Sequence, residues 1–206
     1  RQIIRFLQEQ QVKAIVIACN TASAFALDAV RDEFDIPIIG VVKPGAKVAC
    51  EATHNKKIGV IATEATINSG IYSSYITRQD PQIQVIGKAC PLFVPLVEEG
   101  WLKDSVTFEV AGRYLRKLME QDIDTLILGC THYPLLKALI GGVVGRKVTL
   151  VNSADETARD VDHILRRRRA HARSGNVPVH SFFTTADDVE EFRRFGGRVL
   201  ARPMDV

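Results

Sequence analysis

Short apolar runs rich in Ile and Val recur along the chain: "AIVIAC", "IPIIGVV", "KIGVIAT", "IQVIGKA", "TLILGC", "KVTLVN" and, near the end, "HSFFTT". Unbroken apolar runs, as opposed to strictly alternating ones, suit parallel strands buried on both faces. Between them, 21–34, 106–121 and 154–169 carry helical patterns. Strand and helix in alternation predict an α/β fold, with helices on both sides of a mainly parallel sheet. The last of these helices opens with "NSADETARDV", where Ser153 and Glu156 have the spacing of a capping box, and Asp155 and Glu156 suit the positive end of the helix dipole.

Two segments echo each other. "AIVIACNTA" and "TLILGCTHY" both run from an apolar strand through a small residue and a Cys to a Thr near a helix start. The distance between them is about one small α/β domain, which suggests two similar halves facing each other.

Composition narrows the classes. With 206 residues, 46% hydrophobic and 25% charged, the chain can bury a real core as one domain or two small ones. A net charge of +3 is too mild to argue for nucleic acid. The one local excess, "RRRRAHAR" at 166–173, reads as a solvated helix end and loop, with cations placed to suit a helix C-terminus. No apolar run approaches the roughly 18 to 20 residues of a membrane span, and the opening "RQIIRFLQEQQ" lacks the apolar segment of a signal peptide, so a cytoplasmic home is expected. The chain starts without Met and inside a helical pattern, which points to a missing N-terminal piece.

Four cysteines, at 19, 50, 90 and 130, are scattered without a C-x-x-C pair, which argues for reduced thiols. Cys50 lies in the helical pattern "GAKVACEA" and Cys90 ends a strand before Pro91; both read as packing. Cys19 and Cys130 each fall just past the C-terminal end of a strand and before a helix. That edge of an open α/β sheet is where ligand crevices form. Amides at a helix N-terminus attract anions and are expected to lower the pKa of a nearby thiol. Asn20, Thr21 and Thr131 add short polar arms suited to a substrate carboxylate.

Several chemistries remain open at these positions. A zinc site wants closely spaced ligand pairs, and the only close pair is Cys130 with His132, so no metal is expected. A disulfide would fit a secreted protein better. Buried packing would account for either cysteine alone. A Cys-His nucleophile uses Cys130 and His132 but leaves Cys19 idle, whereas a mechanism with two thiols explains both.

"VIACNTASA" and "LILGCTHYPLL", with "ACPLFVPLVEEG" between them and "SADETARDV" after, closely resemble the glutamate racemases of bacterial cell-wall synthesis, within the aspartate/glutamate racemase superfamily. The aspartate racemases usually carry an acid after the second Cys-Thr; here the residue is His132. The resemblance implies two pseudo-symmetric three-layer α/β/α domains, 1–42 with 153–206 and 43–152, and an active site at their interface. It further implies a cofactor-independent, cytoplasmic isomerase, expected as a homodimer, that interconverts L- and D-glutamate for peptidoglycan. Cys19 and Cys130 would be the two bases, with His132 and Glu98 assisting Cys130 and with Asn20, Thr21, Thr131 and His132 against the substrate. Neither pyridoxal phosphate nor a metal is implied.

The family's usual Asp-Ser-Gly opening and later Pro-Tyr-Gly segment are absent from this chain. The resemblance then implies that the first strand and the acid partner of Cys19 are missing, and that the chain alone is weakly active or inactive. Another racemase or isomerase of the superfamily, acting on aspartate for example, and a non-catalytic binding remnant are the alternatives.

Overall fold

The computed structural model describes residues 1–173 and 175–205. In chain order the elements are α1 (Gln2–Glu9), β1 (Ile15–Ile17), α2 (Asn20–Val30), β2 (Ile38–Gly40), α3 (Val42–Ala52), β3 (Lys57–Ala62), α4 (Glu64–Asn68) and α5 (Ile71–Gln79). They continue with β4 (Gln84–Ala89), α6 (Phe93–Glu98), α7 (Ser105–Met119), β5 (Thr125–Gly129), α8 (Lys137–Val144), β6 (Thr149–Val151), α9 (Ala154–Arg167) and α10 (Val189–Leu200). The chain divides into two compact units, Arg1–Ala170 and a second from His171 onward. The second contains α10, where Gly196 gives room to the Met204 sulfur.

All pairing in the first unit is parallel. β1 pairs with β2, and a separate sheet has the order β4-β3-β5-β6. The two central strands explain their own sequences: every residue of β5 is buried, and in β3 only Lys57 is not. A strand covered on both faces has no use for alternation. The edge strand β4 is more exposed, which is why "QVIGKA" tolerates a lysine.

One face of the larger sheet presents Ile58, Val60 and Ile127 to Val42, Ala46 and Ala49 of α3 and to Tyr72 and Ile76 of α5. Ile61, Leu126 and Leu128 are buried on the opposite face. There α7 packs against β4 and α8, and the layers are helix, sheet, helix. A smaller core of Ile4, Ile15 and Val30, with Ile38 packed against it, joins α1 and α2 to the β1–β2 pair.

Two local expectations fail. "HSFFTT" forms no strand: 180–185 makes no ladder bond, and Phe183 is 56% exposed. A strand needs a neighbour to take its backbone groups, and an apolar run without one gains nothing from extension. The capping box at α9 is also absent. Ser153 has helical dihedrals and makes no side-chain cap bond. The carboxylate of Glu156 is engaged elsewhere, by Lys47 at 2.5 Å and Arg159 at 3.0 Å. A buried acid gains more from two cations than from one backbone amide. Asn152 accepts the Ala154 N–H instead.

Candidate active site

Both cysteine segments fold as strand, thiol, helical turn, though by different local means. After β1, Cys19 is extended and caps α2, its sulfur accepting the Ala22 N–H at 3.4 Å. Ser23 fixes the start of that helix: its hydroxyl donates to the Ile17 carbonyl at 2.9 Å and accepts from the Val41 N–H at 3.2 Å. Cys19 itself is exposed.

Cys130 follows β5 and is buried. A single 3-10 turn at Tyr133–Leu136 comes after it and runs into α8. Burial pushes the Cys130 thiol up, and nearby Cys19 adds to the rise, while the backbone N–H groups of His132, Tyr133 and Thr131 act against it. The lowered thiol expected from helix-end amides is thus overturned at Cys130. Desolvation of a thiolate outweighs three facing amides.

The two segments meet. Thr131 Oγ1 donates to the Ala18 carbonyl at 3.0 Å, tying the residue after one thiol to the residue before the other. Around Cys130, His132 Nδ1 lies 3.9 Å from Sγ, and His132 Nε2 lies 3.2 Å from Glu98 Oε1. Glu98 ends α6, so the chain of groups runs carboxylate, imidazole, thiol.

On the Cys19 side, Asn20 is buried and its Oδ1 accepts from the Tyr72 hydroxyl at 2.6 Å. Thr21 Oγ1 lies 2.9 Å from Thr63 Oγ1 and 2.8 Å from Thr66 Oγ1, and those two are 3.0 Å apart. Thr63 and Thr66 belong to the start of α4 just past β3, with Thr63 as its cap. Every sequence-derived site residue therefore falls within these contacts. Thr63, Thr66 and Tyr72 escaped the sequence reading. A signal existed for the threonines: β3 pairs with β5 in parallel, Ala62 opposite Gly129, so "ATEAT" ends at the same sheet edge as "GCTH".

Chemically, two thiols in different environments lie on segments joined by the Thr131–Ala18 bond, beside amide and hydroxyl groups able to hold a carboxylate. Among the described residues no group of three or more His, Cys, Asp or Glu could hold a metal ion. None of their helices is long and apolar enough to cross a membrane.

The Asp/Glu/Hydantoin racemase family model matches residues 1–161. Among curated proteins, the glutamate racemase of Geobacter metallireducens is 47% identical over 199 residues, covering 97% of this chain and 73% of that protein. The chain belongs to the Asp/Glu/Hydantoin racemase family. A second racemase relative, from Oceanobacillus iheyensis, is 46% identical over 90% of this chain and 68% of its own length. The crystal structure of a glutamate racemase isoform from Bacillus anthracis superposes with a TM-score of 0.93 at 40% identity, over 99% of this chain and 76% of that one. The Francisella tularensis glutamate racemase, solved in complex with D-glutamate, gives 0.90 at 35% over 99% and 75%. Within the racemase family the chain groups with glutamate racemases and is an amino-acid racemase, an isomerase. Likeness to the aspartate racemase of Picrophilus torridus, at 20% identity and a TM-score of 0.56, extends to the fold alone.

Proposed function

We propose that this chain interconverts L- and D-glutamate by two-base proton transfer between Cys19 and Cys130, providing D-glutamate for peptidoglycan. The observation that carries the reading is the bond from Thr131 to Ala18, which brings two thiols from separate sheets to one place. Inversion at a carbon requires a base on one face and an acid on the other, and after turnover the two have exchanged protonation states, ready for the reverse reaction. One thiolate removes the α-proton; the other thiol delivers a proton to the opposite face, and the electron pair returns to the α-carbon with no net redox change.

Burial favours the protonated form of Cys130, and the imidazole of His132, held by Glu98, is placed to take or return that proton. Asn20, Thr21 and Thr131, joined by Thr63 and Thr66, would hold the substrate's carboxylates and amino group. The separation of β1–β2 from the four-stranded sheet supports parting 1–42 from 43–152, and the resemblance adds 153–206 to the first of these domains. A homodimer in the cytoplasm completes the proposal.

The test is solvent deuterium incorporation at the α-carbon of each glutamate enantiomer, followed by NMR with the parent, Cys19→Ser and Cys130→Ser. Exchange by the parent, with the two variants impaired towards opposite enantiomers, is the expected result. Equal impairment of both enantiomers by both variants would sink the two-base assignment.

A further inference from the structure

We infer that Tyr72 is a positioning residue for the racemase site: its hydroxyl fixes the Asn20 side chain so that the amide nitrogen, and not the oxygen, is presented to the substrate. The inference rests on the proposed glutamate reading for the identity of that substrate, though not for the geometry.

Tyr72 and Asn20 are each only 4% exposed. They come from different parts of the first unit, Tyr72 from α5 against the four-stranded sheet and Asn20 from α2 beyond β1. Their 2.6 Å bond occupies Asn20 Oδ1. A phenol has one proton to donate, and burial followed by the nearby charge at Cys130 pushes its ionisation up, so it remains a donor throughout the working range. An amide whose oxygen is the acceptor must turn its NH2 the other way. No buried side-chain nitrogen or oxygen among the described residues lacks a partner, and none of these residues bonds Asn20 Nδ2. That nitrogen therefore retains some contact with solvent. Two N–H donors beside Cys19 are what a carboxylate requires; a carbonyl oxygen there would repel it.

Space for the ring is made by Gly129, while Gly45 lies at ordinary contact distance from the hydroxyl. A Cβ on Gly129 would lie 3.2 Å from Tyr72 Cε2, and one on Gly45 would lie 3.5 Å from the hydroxyl. The ring thus passes beside the residue that precedes Cys130 and ends at the residue that follows Cys19. Its ring lies against one cysteine segment and its hydroxyl bonds the other, so the side chain touches both from inside the protein, whereas Thr131 joins them at the surface.

The experiment compares the parent chain with Tyr72→Phe, Asn20→Ala and the double variant. The readouts are the Asn20 side-chain NH2 signals in 1H–15N spectra, D-glutamate affinity by titration, and α-proton exchange. In Tyr72→Phe the Asn20 NH2 pair should move and exchange faster with solvent while the other amides stay in place. D-glutamate binding should weaken about tenfold, as for one lost orienting bond. In the Asn20→Ala background the same change should cost nothing further. Unmoved Asn20 signals, or an equal loss of affinity in both backgrounds, would overturn the inference. A parent that binds no glutamate would remove the substrate assignment, and the Asn20 signals would still decide the role of Tyr72.

Discussion

Thr131 and Ala18 are joined by a 3.0 Å bond from a side-chain hydroxyl to a backbone carbonyl, and each is the immediate neighbour of a proposed proton carrier. The relative placement of the two thiols is therefore set one residue away from each. Replacing Thr131 by Val keeps the shape and removes the donor. We expect a stability loss of about 1 kcal/mol. Deuterium exchange should fall from both glutamate enantiomers by similar factors, because both directions use the same spacing. A loss confined to one enantiomer would show that Thr131 serves a single thiol.

Glu98 and Glu99 are adjacent acids in the same sequence context, and only Glu98 reaches His132, at 3.2 Å. Glu98→Gln should therefore slow the direction in which Cys130 must lose its proton. An upper bound is the roughly 10²- to 10⁴-fold contribution of a placed acid or base. Glu99→Gln should leave exchange from both enantiomers near the parent's. The check is the initial exchange rate of each variant on each enantiomer; equal effects of the two substitutions would remove Glu98 from the relay.

Burial also gives the chain an alkaline limit. Cys90, fully buried behind β4, has its thiol pushed up to about 12 by desolvation, with Lys88 opposing, and Cys130 is pushed up as well. In the unfolded chain these thiols release their protons near the ordinary value of about 8.5. Above that value the unfolded state binds fewer protons than the folded one, so stability falls as pH rises towards the folded pKa. Below it the contribution is intact. Urea midpoints measured from about pH 8 to about pH 10 should decline, and Cys90→Ala should flatten the decline while preserving α-proton exchange. A slope unchanged by Cys90→Ala would assign the alkaline loss to other groups.

On the acid side, Asp124 is one of the carboxylates that contribute. It is partly desolvated, which alone would raise its pKa, yet bonds from Thr53, Asn55, His54 and Thr125 hold it below the usual carboxylate range. Its carboxylate receives the Thr53 hydroxyl and the His54 N–H at 2.6 Å each and closes the turn between α3 and β3. The stability this provides is present above the unfolded value of about 3.9 and is lost as pH falls through the lower folded value. Asp124→Asn should lower the thermal midpoint near neutrality and weaken the pH dependence below about 4. If the parent and variant lose stability in parallel on acidification, another carboxylate is responsible.

Sequence carried the strands of the first unit because unbroken apolar runs can only be buried on both faces, and β3 and β5 are. It also carried both cysteine segments, where strand, thiol and hydroxyl lie within a few residues of each other. Contacts between distant residues were harder to read. Glu156 looked like a cap because Lys47, its partner across the α3–α9 contact, stands far away in the chain. The expected fall of the Cys130 pKa failed for a related reason: helix-end amides are visible in a local pattern, whereas burial by the rest of the protein is not. "HSFFTT" has strand-like residues, but among the described residues no strand pairs with it.

Gly129 supplies the strictest steric condition at the site. It is the last residue of β5, opposite Ala62 in the sheet, and a Cβ there would lie 2.8 Å from the Ile61 carbonyl oxygen and 3.1 Å from Ala62 Cβ. The nearest atom is the backbone of a buried residue in a central strand, so it cannot swing aside as a side-chain tip could. Gly129→Ala must open the β3–β5 pair, press on Tyr72, or displace the following residue, Cys130. Overpacking of this kind costs about 1 to 3 kcal/mol. Gly142→Ala is the control: its Cβ would meet only Phe108, at 3.8 Å, and inside α8 alanine is the better helix former. Thermal melts should drop for Gly129→Ala and hold or rise for Gly142→Ala, with α-proton exchange reduced only in the first. Full stability and exchange in Gly129→Ala would mean that the sheet edge beneath Cys130 yields more readily than its packing implies.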